Sequence, residues 1–294
     1  MSPLRPLDLN GVLLSLLLAA LWGGNPVAIK IGLADAPPLR LAAMRFVLGG
    51  LVILAYAWWT RRRGLFTMRA GEWRAIWSLG LLFTVQIGLA NIGIDLTTAA
   101  HGTVLVNSYA VHTVVLAHFF IPGDRLTAAK LGGVIVAYAG IVLLFAGDFS
   151  FRSGTLFGDV VVIASAFLLG ERTVYMARAV QRIDPFKLLI GQSAIGSACF
   201  LLASLWLEAD TPTRSTPTLA ASLVYQGMII AGFNFLVNAW LLQRYRPGAL
   251  AAWALTSPIW GVLIAAAVAG DALTPTLLAS SLMVAAGIRV ATRK

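Results

Sequence analysis

"GDRLT", residues 123–127, returns as "GDALT", residues 270–274, at an offset of 147, half of the 294-residue chain. The same ungapped offset pairs Gly11 with Gly158, Gly23 with Gly170, Pro38 with Pro185, Gly49 with Gly196, Gly80 with Gly227 and Asn91 with Asn238. It also lays Ala139-Gly140-Ile141 on Ala286-Gly287-Ile288. One offset that holds from the first helix to the last, across glycine, proline and asparagine, marks a duplicated chain. The expected units are residues 1–147 and 148–294.

Composition says what was duplicated. The chain is 59% hydrophobic and 12% charged, against about 25% charged residues in ordinary soluble domains. Breaking it at Pro, Gly and charge clusters leaves ten apolar runs, near 9–33, 38–59, 72–94, 97–121, 127–147, 155–179, 186–207, 219–243, 248–269 and 275–291. In hydrocarbon every backbone group must be paired within its own segment, so such runs are helices. They are too long and too uniformly apolar for barrel strands, which alternate over about ten residues. The expected fold is an all-α polytopic membrane protein of ten transmembrane helices, five in each repeat.

Sixteen lysines and arginines fall in the terminal segments and loops of one side, including Arg5, Arg61, Arg125, Arg182, Arg244 and Arg293, and only Arg40, Arg152 and Arg214 on the other. Positive charge stays cytoplasmic, which places both termini in the cytoplasm of a bacterial inner membrane, with the first apolar run retained rather than cleaved. The net charge of +10 forms no continuous basic patch with interleaved aromatics, so nucleic acid is not an expected partner. Cys199 is the single cysteine and excludes an intrachain disulfide. Five helices is an odd number, so the second repeat starts on the opposite side and the two are inverted. That architecture is used by secondary transporters for alternating access.

The stretch "LWGGNPVAIK", residues 21–30, carries helix-weakening and polar residues where lipid-like sequence is expected. Pro26 removes a backbone hydrogen bond and bends a helix. Broken helices are the best sequence pointer to a transporter's site. Gly23, Gly24 and Pro26 are therefore read as a hinge and Trp22 and Asn25 as site residues. The offset lands this stretch on "LLGERTVYMA", residues 168–177, where a matching interruption is expected at Gly170–Thr173.

Within that second stretch Glu171 is the only acid well inside a run. It could hold a substrate ammonium, carry a coupling proton, or pair with Arg172, Arg45 or Lys30; Tyr175 lies one turn further on. Lys30 and Arg45 sit toward the ends of their runs, where snorkelling is easy. In the third and eighth runs Gly80, Thr84, Gly88 and Asn91 share a face, as do Gly227, Ala231, Asn234 and Asn238. Those asparagines could line a cavity or bond to an adjacent helix. In the ninth run Trp253, Thr256, Ser257 and Trp260 share a face beside Pro258, a further hinge candidate. The equivalent face of the fourth run favours Tyr109 and His112, with Asn107 and His118 pointing away.

"LWGGNPVAIKIGL" with "PPLRLAAMRFVLGGLVIL", residues 37–54, resembles the opening of EamA-type members of the drug/metabolite transporter superfamily. "GDRLT" and "GDALT", each followed by a Gly-containing apolar run, resemble that family too. The likeness covers all ten runs and extends to YddG-like amino-acid exporters. Asp124 and Asp271 stand where the family usually has Glu, and Pro258 has Val111 as its repeat partner where a proline is typical. The resemblance implies a 5+5 inverted fold, export from the cytoplasm, and a central cavity between helices 1–4 and 6–9.

No nucleotide-binding loop, nucleophile elbow or zinc-protease motif is present, and the histidine spacings do not suit a shared metal. No enzyme, cofactor or metal is expected. The expected partners are a small-molecule substrate, amino acids first, and the lipid bilayer; a monomer is compatible with this. Multidrug export and a non-transporting receptor or scaffold are the alternatives that the residues leave open.

Overall fold

A computed structural model describes residues 4–62, 64–146, 155–269 and 275–293. Among these every regular element is a helix, and the one isolated bridge joins Arg5 and Tyr245. The first repeat contributes α1 (Leu9–Gly23), α2 (Asn25–Leu33), α3 (Pro38–Trp59), α4 (Glu72–Asp95), α5 (Ala99–Val106), α6 (Tyr109–Phe120) and α7 (Ala128–Leu144). The second contributes α8 (Leu156–Ala179), α9 (Pro185–Leu207), α10 (Pro217–Leu223), a π-helical segment (Val224–Asn234), α11 (Phe235–Leu242), α12 (Pro247–Ala254), α13 (Ser257–Ala269) and α14 (Pro275–Ala291).

Seven helical runs of 20 to 26 residues among the described residues are long and apolar enough to cross a membrane; α7 and α14 are shorter apolar helices of 17 residues. Start signals fall where the sequence puts them. Pro38 and Pro185, one offset apart, open α3 and α9, where a missing N–H costs nothing. The side chains of Asp8, Thr98, Thr127, Asp184 and Thr216 accept from the exposed N–H groups of their helices, as N-caps do.

Hydrogen bonds between loops sort the chain into two ends. At one end the Arg5 N–H donates to the Arg244 carbonyl, the Tyr245 hydroxyl to Asp8 at 2.7 Å, the Gly248 N–H to Asp124 at 3.0 Å and Lys187 to Glu72 at 2.9 Å. Gly133, near the start of α7, lies against Ala291 at the end of α14. Both described termini thus share this end. At the other end Arg40 binds Glu208 and Thr213, Thr216 donates to Asp35, and Lys30 donates to the carbonyls of Ile94, Asp95 and Thr97 at 3.1–3.2 Å. Lys30 therefore closes the C-terminus of α4, where unpaired carbonyls attract a cation. The second copy of the opening motif, residues 270–274 with Asp271, lies outside the described residues.

The two repeats interlock, and their contacts come in related sets: α3 packs on the π-helical segment as α9 packs on α4, and α7 packs on α14. A methyl added to Gly80 would fall 2.7 Å from Ile195, and one added to Gly227 would fall 2.7 Å from Leu48. Ile195 and Leu48 are themselves one offset apart, so the repeated glycines are close-packing points between halves. Small residues serve this purpose where lipid is as apolar as the protein.

Candidate functional site

The first helix breaks where "LWGGNP" predicts: α1 stops at Gly23, α2 starts at Asn25 and Gly24 lies between them. Gly23 permits the approach of α13, since a methyl there would lie 2.5 Å from the Ser257 carbonyl. Carbonyls on both sides of the break are taken up by side chains of the eighth run. Asn234 Nδ2 donates to Leu18 O at 2.9 Å, the Tyr225 hydroxyl donates to Leu21 O, and Ser222 and Gln226 donate to Ala28 O at 2.7 and 3.0 Å. A broken membrane helix persists when neighbours pair its freed groups in this way. The donor strip on the eighth run includes the π-helical segment, which no feature of the sequence announced.

The fourth helices of both repeats are broken too, at Asn107–Ser108 and at Leu255–Thr256. A hydroxyl at each break donates to a carbonyl of the preceding turn, Ser108 to Leu105 O at 2.7 Å and Thr256 to Trp253 O at 2.9 Å. Pro258 lies just inside α13, yet the first repeat breaks without a proline. Its backbone is bent by local side-chain hydrogen bonds instead, Asn107 adding one to Thr103 O at 2.7 Å.

Among the described residues two adjoining cavities lie between the repeats, apart from a larger pocket of about 670 Å³ bordered by Leu14, Tyr56, Arg182, Asp184 and Trp240. One, of about 110 Å³, is bordered by Ser15, Asn107, Tyr109, Gln192, Asn234, Asn238 and Ser257 among others. The second, of about 40 Å³, is bordered by Asn25, Pro26, Arg45, Gln86 and Gln226 with apolar neighbours. Trp22, Leu169, Arg172 and Phe235 border both and form the layer between them. Trp22 stacks on Phe235 with centroids 5.9 Å apart. The Arg172 guanidinium sits 5.1 Å from the Phe83 ring centroid and 5.4 Å from that of Phe235.

The offset of 147 organises this site. It carries Trp22 onto Leu169 within the dividing layer, Asn25 onto Arg172, and Arg45 onto Gln192. Arg45 borders the smaller cavity and Gln192 the larger. Asn25 Oδ1, Arg45 Nε, Arg172 Nη1 and Gln192 Oε1 are all buried atoms with no hydrogen-bond partner, as is Gln86 Oε1. Buried polar groups are nearly always paired, so a cluster of unpaired ones on cavity walls marks a place where a ligand supplies the pairing. Arg45 also donates to Gln226 at 3.0 Å and to Asn91 at 3.1 Å, and is only 4% exposed.

A model of the EamA-like transporter family matches residues 9–146 and again 156–293. The chain belongs to the EamA-like transporter family. The two matches make it a two-repeat member of that membrane transporter family. A probable amino-acid metabolite efflux pump of Salmonella typhimurium is 27% identical, covering 94% of this chain and 93% of that protein. An uncharacterized transporter of Archaeoglobus fulgidus is 28% identical over 86% of this chain and 87% of its own length. An uncharacterized inner membrane transporter of Escherichia coli, YedA, is 25% identical over 91% of this chain and 85% of its own length. One solved crystal structure shares the fold, with a TM-score of 0.82 at 22% identity over 96% of this chain and 98% of that one.

In this EamA-like chain Trp22, Asn25, Tyr109, Asn234, Asn238 and Ser257, singled out from sequence, border the cavities, as does Pro26 of the hinge set. Several others do not. Glu171 is exposed on the outer face of α8, because adjacent helix residues point about 100° apart and Arg172 takes the inward position. The expected interruption at Gly170–Thr173 is also absent: α8 runs unbroken from Leu156 to Ala179. Thr173 stands where Pro26 stands in the first repeat, and it keeps its N–H and donates its hydroxyl to Leu169 O at 2.7 Å.

Trp253, Trp260 and His112 border neither cavity. The shared-face argument assumed unbroken helices, and the breaks reset the phase of the turns that follow, as at His112 and Trp260, while Trp253 precedes its break and owes its place to packing. Trp253 packs into an apolar cluster with Tyr109 and Tyr138, and His112 meets Phe167 edge-on at 5.4 Å. Asn107 turns inward at its break instead of pointing away. Thr84 spends its hydroxyl on Gly80 O at 2.7 Å, Tyr175 packs on the main apolar core, and Asn91 stands behind Arg45, donating to Pro38 O at 2.9 Å. Arg45 does not snorkel. Arg172, Arg45, Gln192 and Gln86, with Ser15, Thr173 and Gln226, are polar cavity residues that sequence reasoning did not assign to the site. An alignment at the offset of 147 contained the signal for the first three, since it places polar on polar at 25/172 and 45/192 within apolar helices.

Proposed function

We propose that this EamA-like chain is a secondary transporter that exports small amphipathic metabolites, amino acids and their derivatives first, from the cytoplasm. It does so by alternating access between two inverted five-helix repeats, residues 1–147 and 148–294. Ten helices cross the inner membrane and both termini are cytoplasmic, in keeping with the positive loops gathered at the end that carries Arg5, Arg244 and Lys187. The working unit is a monomer.

The observation that carries this reading is Arg172. It borders both cavities, sits between aromatic faces and leaves Nη1 unpaired. A substrate carboxylate paired there lies at the boundary between the two access paths, and an apolar side chain finds Trp22 and Phe235 beside it. Such charge-assisted bonds are worth about 1.5–3 kcal/mol each. Amide groups of Asn107, Asn234 and Asn238 supply polar neighbours on one side, and Asn25, Gln86 and Gln226 on the other. Exchange of the repeats opens one path as it closes the other. The relative in Salmonella typhimurium, called a probable amino-acid metabolite efflux pump, supports the substrate class.

The test is counterflow of radiolabelled amino acids and their derivatives in liposomes containing the purified protein, with and without a pH gradient. Saturable, protein-dependent flux is expected for carboxylate-bearing solutes. Its absence for every one of them overturns the proposal, and accumulation driven by the gradient adds proton coupling to it.

A further inference from the structure

The cavity walls have an uneven charge. Two guanidiniums, Arg45 and Arg172, border the smaller cavity together, and Arg172 also borders the larger one. The other polar groups there are neutral amides, hydroxyls and a phenol, and among the described residues no aspartate or glutamate borders either cavity. Arg45 is held by two neutral amide oxygens, of Gln226 and Asn91, so its charge is oriented without being neutralised. Arg172 makes no ion pair with an acid among the described residues and lies against the ring faces of Phe83 and Phe235. Charges inside a membrane protein normally pair with one another or mark a ligand path.

A free amino acid brings two charges to this site. Its carboxylate suits a guanidinium, while its ammonium enters a space where the nearest ionic groups are positive. Asn25 Oδ1, Gln86 Oε1 and Gln192 Oε1 could accept from it, but amide oxygens do not offset repulsion from two cations at low local dielectric. A carboxylate whose amine is acylated, or replaced by an oxo or hydroxyl group, avoids that repulsion and still presents groups for the amides.

We propose that the central site selects net-anionic carboxylates with an apolar body, such as N-acyl amino acids and 2-oxo or 2-hydroxy acids, over the zwitterionic amino acids themselves. Arg172 pairs with the carboxylate at the dividing layer, and Arg45 supplies the second positive charge that excludes the ammonium. This inference rests on the transport reading above and names the substrate class of the same site.

Competition in the liposome assay tests it, with radiolabelled N-acetyl-L-phenylalanine as the transported probe. The competitors share one ring: phenylpyruvate, an anion; L-phenylalanine, a zwitterion; and L-phenylalanine methyl ester, a cation without a carboxylate. The expected order places phenylpyruvate at least about tenfold ahead of phenylalanine in half-inhibiting concentration, with no competition from the ester. Arg45→Gln narrows the gap between anion and zwitterion, and Arg45→Lys, which keeps the charge, retains it. Equal inhibition by anion and zwitterion, or inhibition by the ester, overturns the proposal and leaves transport standing. No flux of the probe, of phenylpyruvate or of phenylalanine overturns the transport reading itself. Should Arg45→Gln fail to insert, the order of the three competitors on the wild-type protein decides alone.

Discussion

Residues 25 and 172 occupy the same place in the two repeats, as do 45 and 192, yet each pair holds one arginine and one amide. The arginine lies in the second repeat at the first pair and in the first repeat at the second. Both positions stay polar and directed at a cavity, so duplication preserved where the site is. The charge did not need to be duplicated with it. A similar contrast separates α1–α2 from α8. The two segments align, but Pro26 breaks one and Thr173 leaves the other continuous. The scaffold repeats, and the chemistry is divided between the copies.

The comparison breaks most sharply at Arg172. Arg172→Gln makes 172 an amide like its partner Asn25, and counterflow of a carboxylate probe should fall about tenfold to a hundredfold, the worth of a charge-assisted bond of about 1.5–3 kcal/mol. Retained flux would deny Arg172 the carboxylate. Exchanging the second pair, with Arg45→Gln and Gln192→Arg together, sharpens the point. If the pairs are functional equivalents, the exchanged protein recovers the preference for anion over zwitterion that Arg45→Gln alone narrows, read in the competition assay.

The glycine pair tests packing rather than charge. Gly23→Ala places a methyl 2.5 Å from the Ser257 carbonyl, a backbone atom, while Gly170→Ala first meets the His112 side chain at 2.9 Å. Overpacking costs about 1–3 kcal/mol, and the Gly23 variant should show the larger drop in melting temperature in detergent. Trp22→Leu copies Leu169 into the first repeat and loses the stack on Phe235, worth about 0.5–1.5 kcal/mol. A few-fold loss of flux with normal insertion is expected. Smallest of all is Glu171→Gln: the exposed carboxylate faces away from both cavities, and flux should stay within about twofold of wild type.

Much of this was legible in the chain itself. The offset of 147 located the repeats, and helix occupies each of the ten apolar runs within a few residues. The break at "GGNP" was legible because glycine and proline act locally, through backbone geometry that no tertiary contact has to supply. Trp22, on the regular turn before its break, was legible as a cavity residue, and so were Tyr109 and Ser257, the first residues after theirs. Further beyond each break the angular phase is lost, which is why His112 and Trp260 were misplaced; Trp253 precedes its break and packs into an apolar cluster instead. The π-helical segment escaped because nothing in "VYQGMIIAGFN" departs from an ordinary apolar helix. Glu171 drew attention as the acid, and its neighbour Arg172 is the residue that borders both cavities.

The seam between α7 and α14 has a mechanical meaning. These two antiparallel helices meet along Gly133, Gly140 and Gly287, backbone close against backbone, and none of their residues borders a cavity. Each belongs to a different repeat, so under the transport mechanism proposed above this seam fastens the halves along a line away from both cavities, as a hinge pin fastens two leaves.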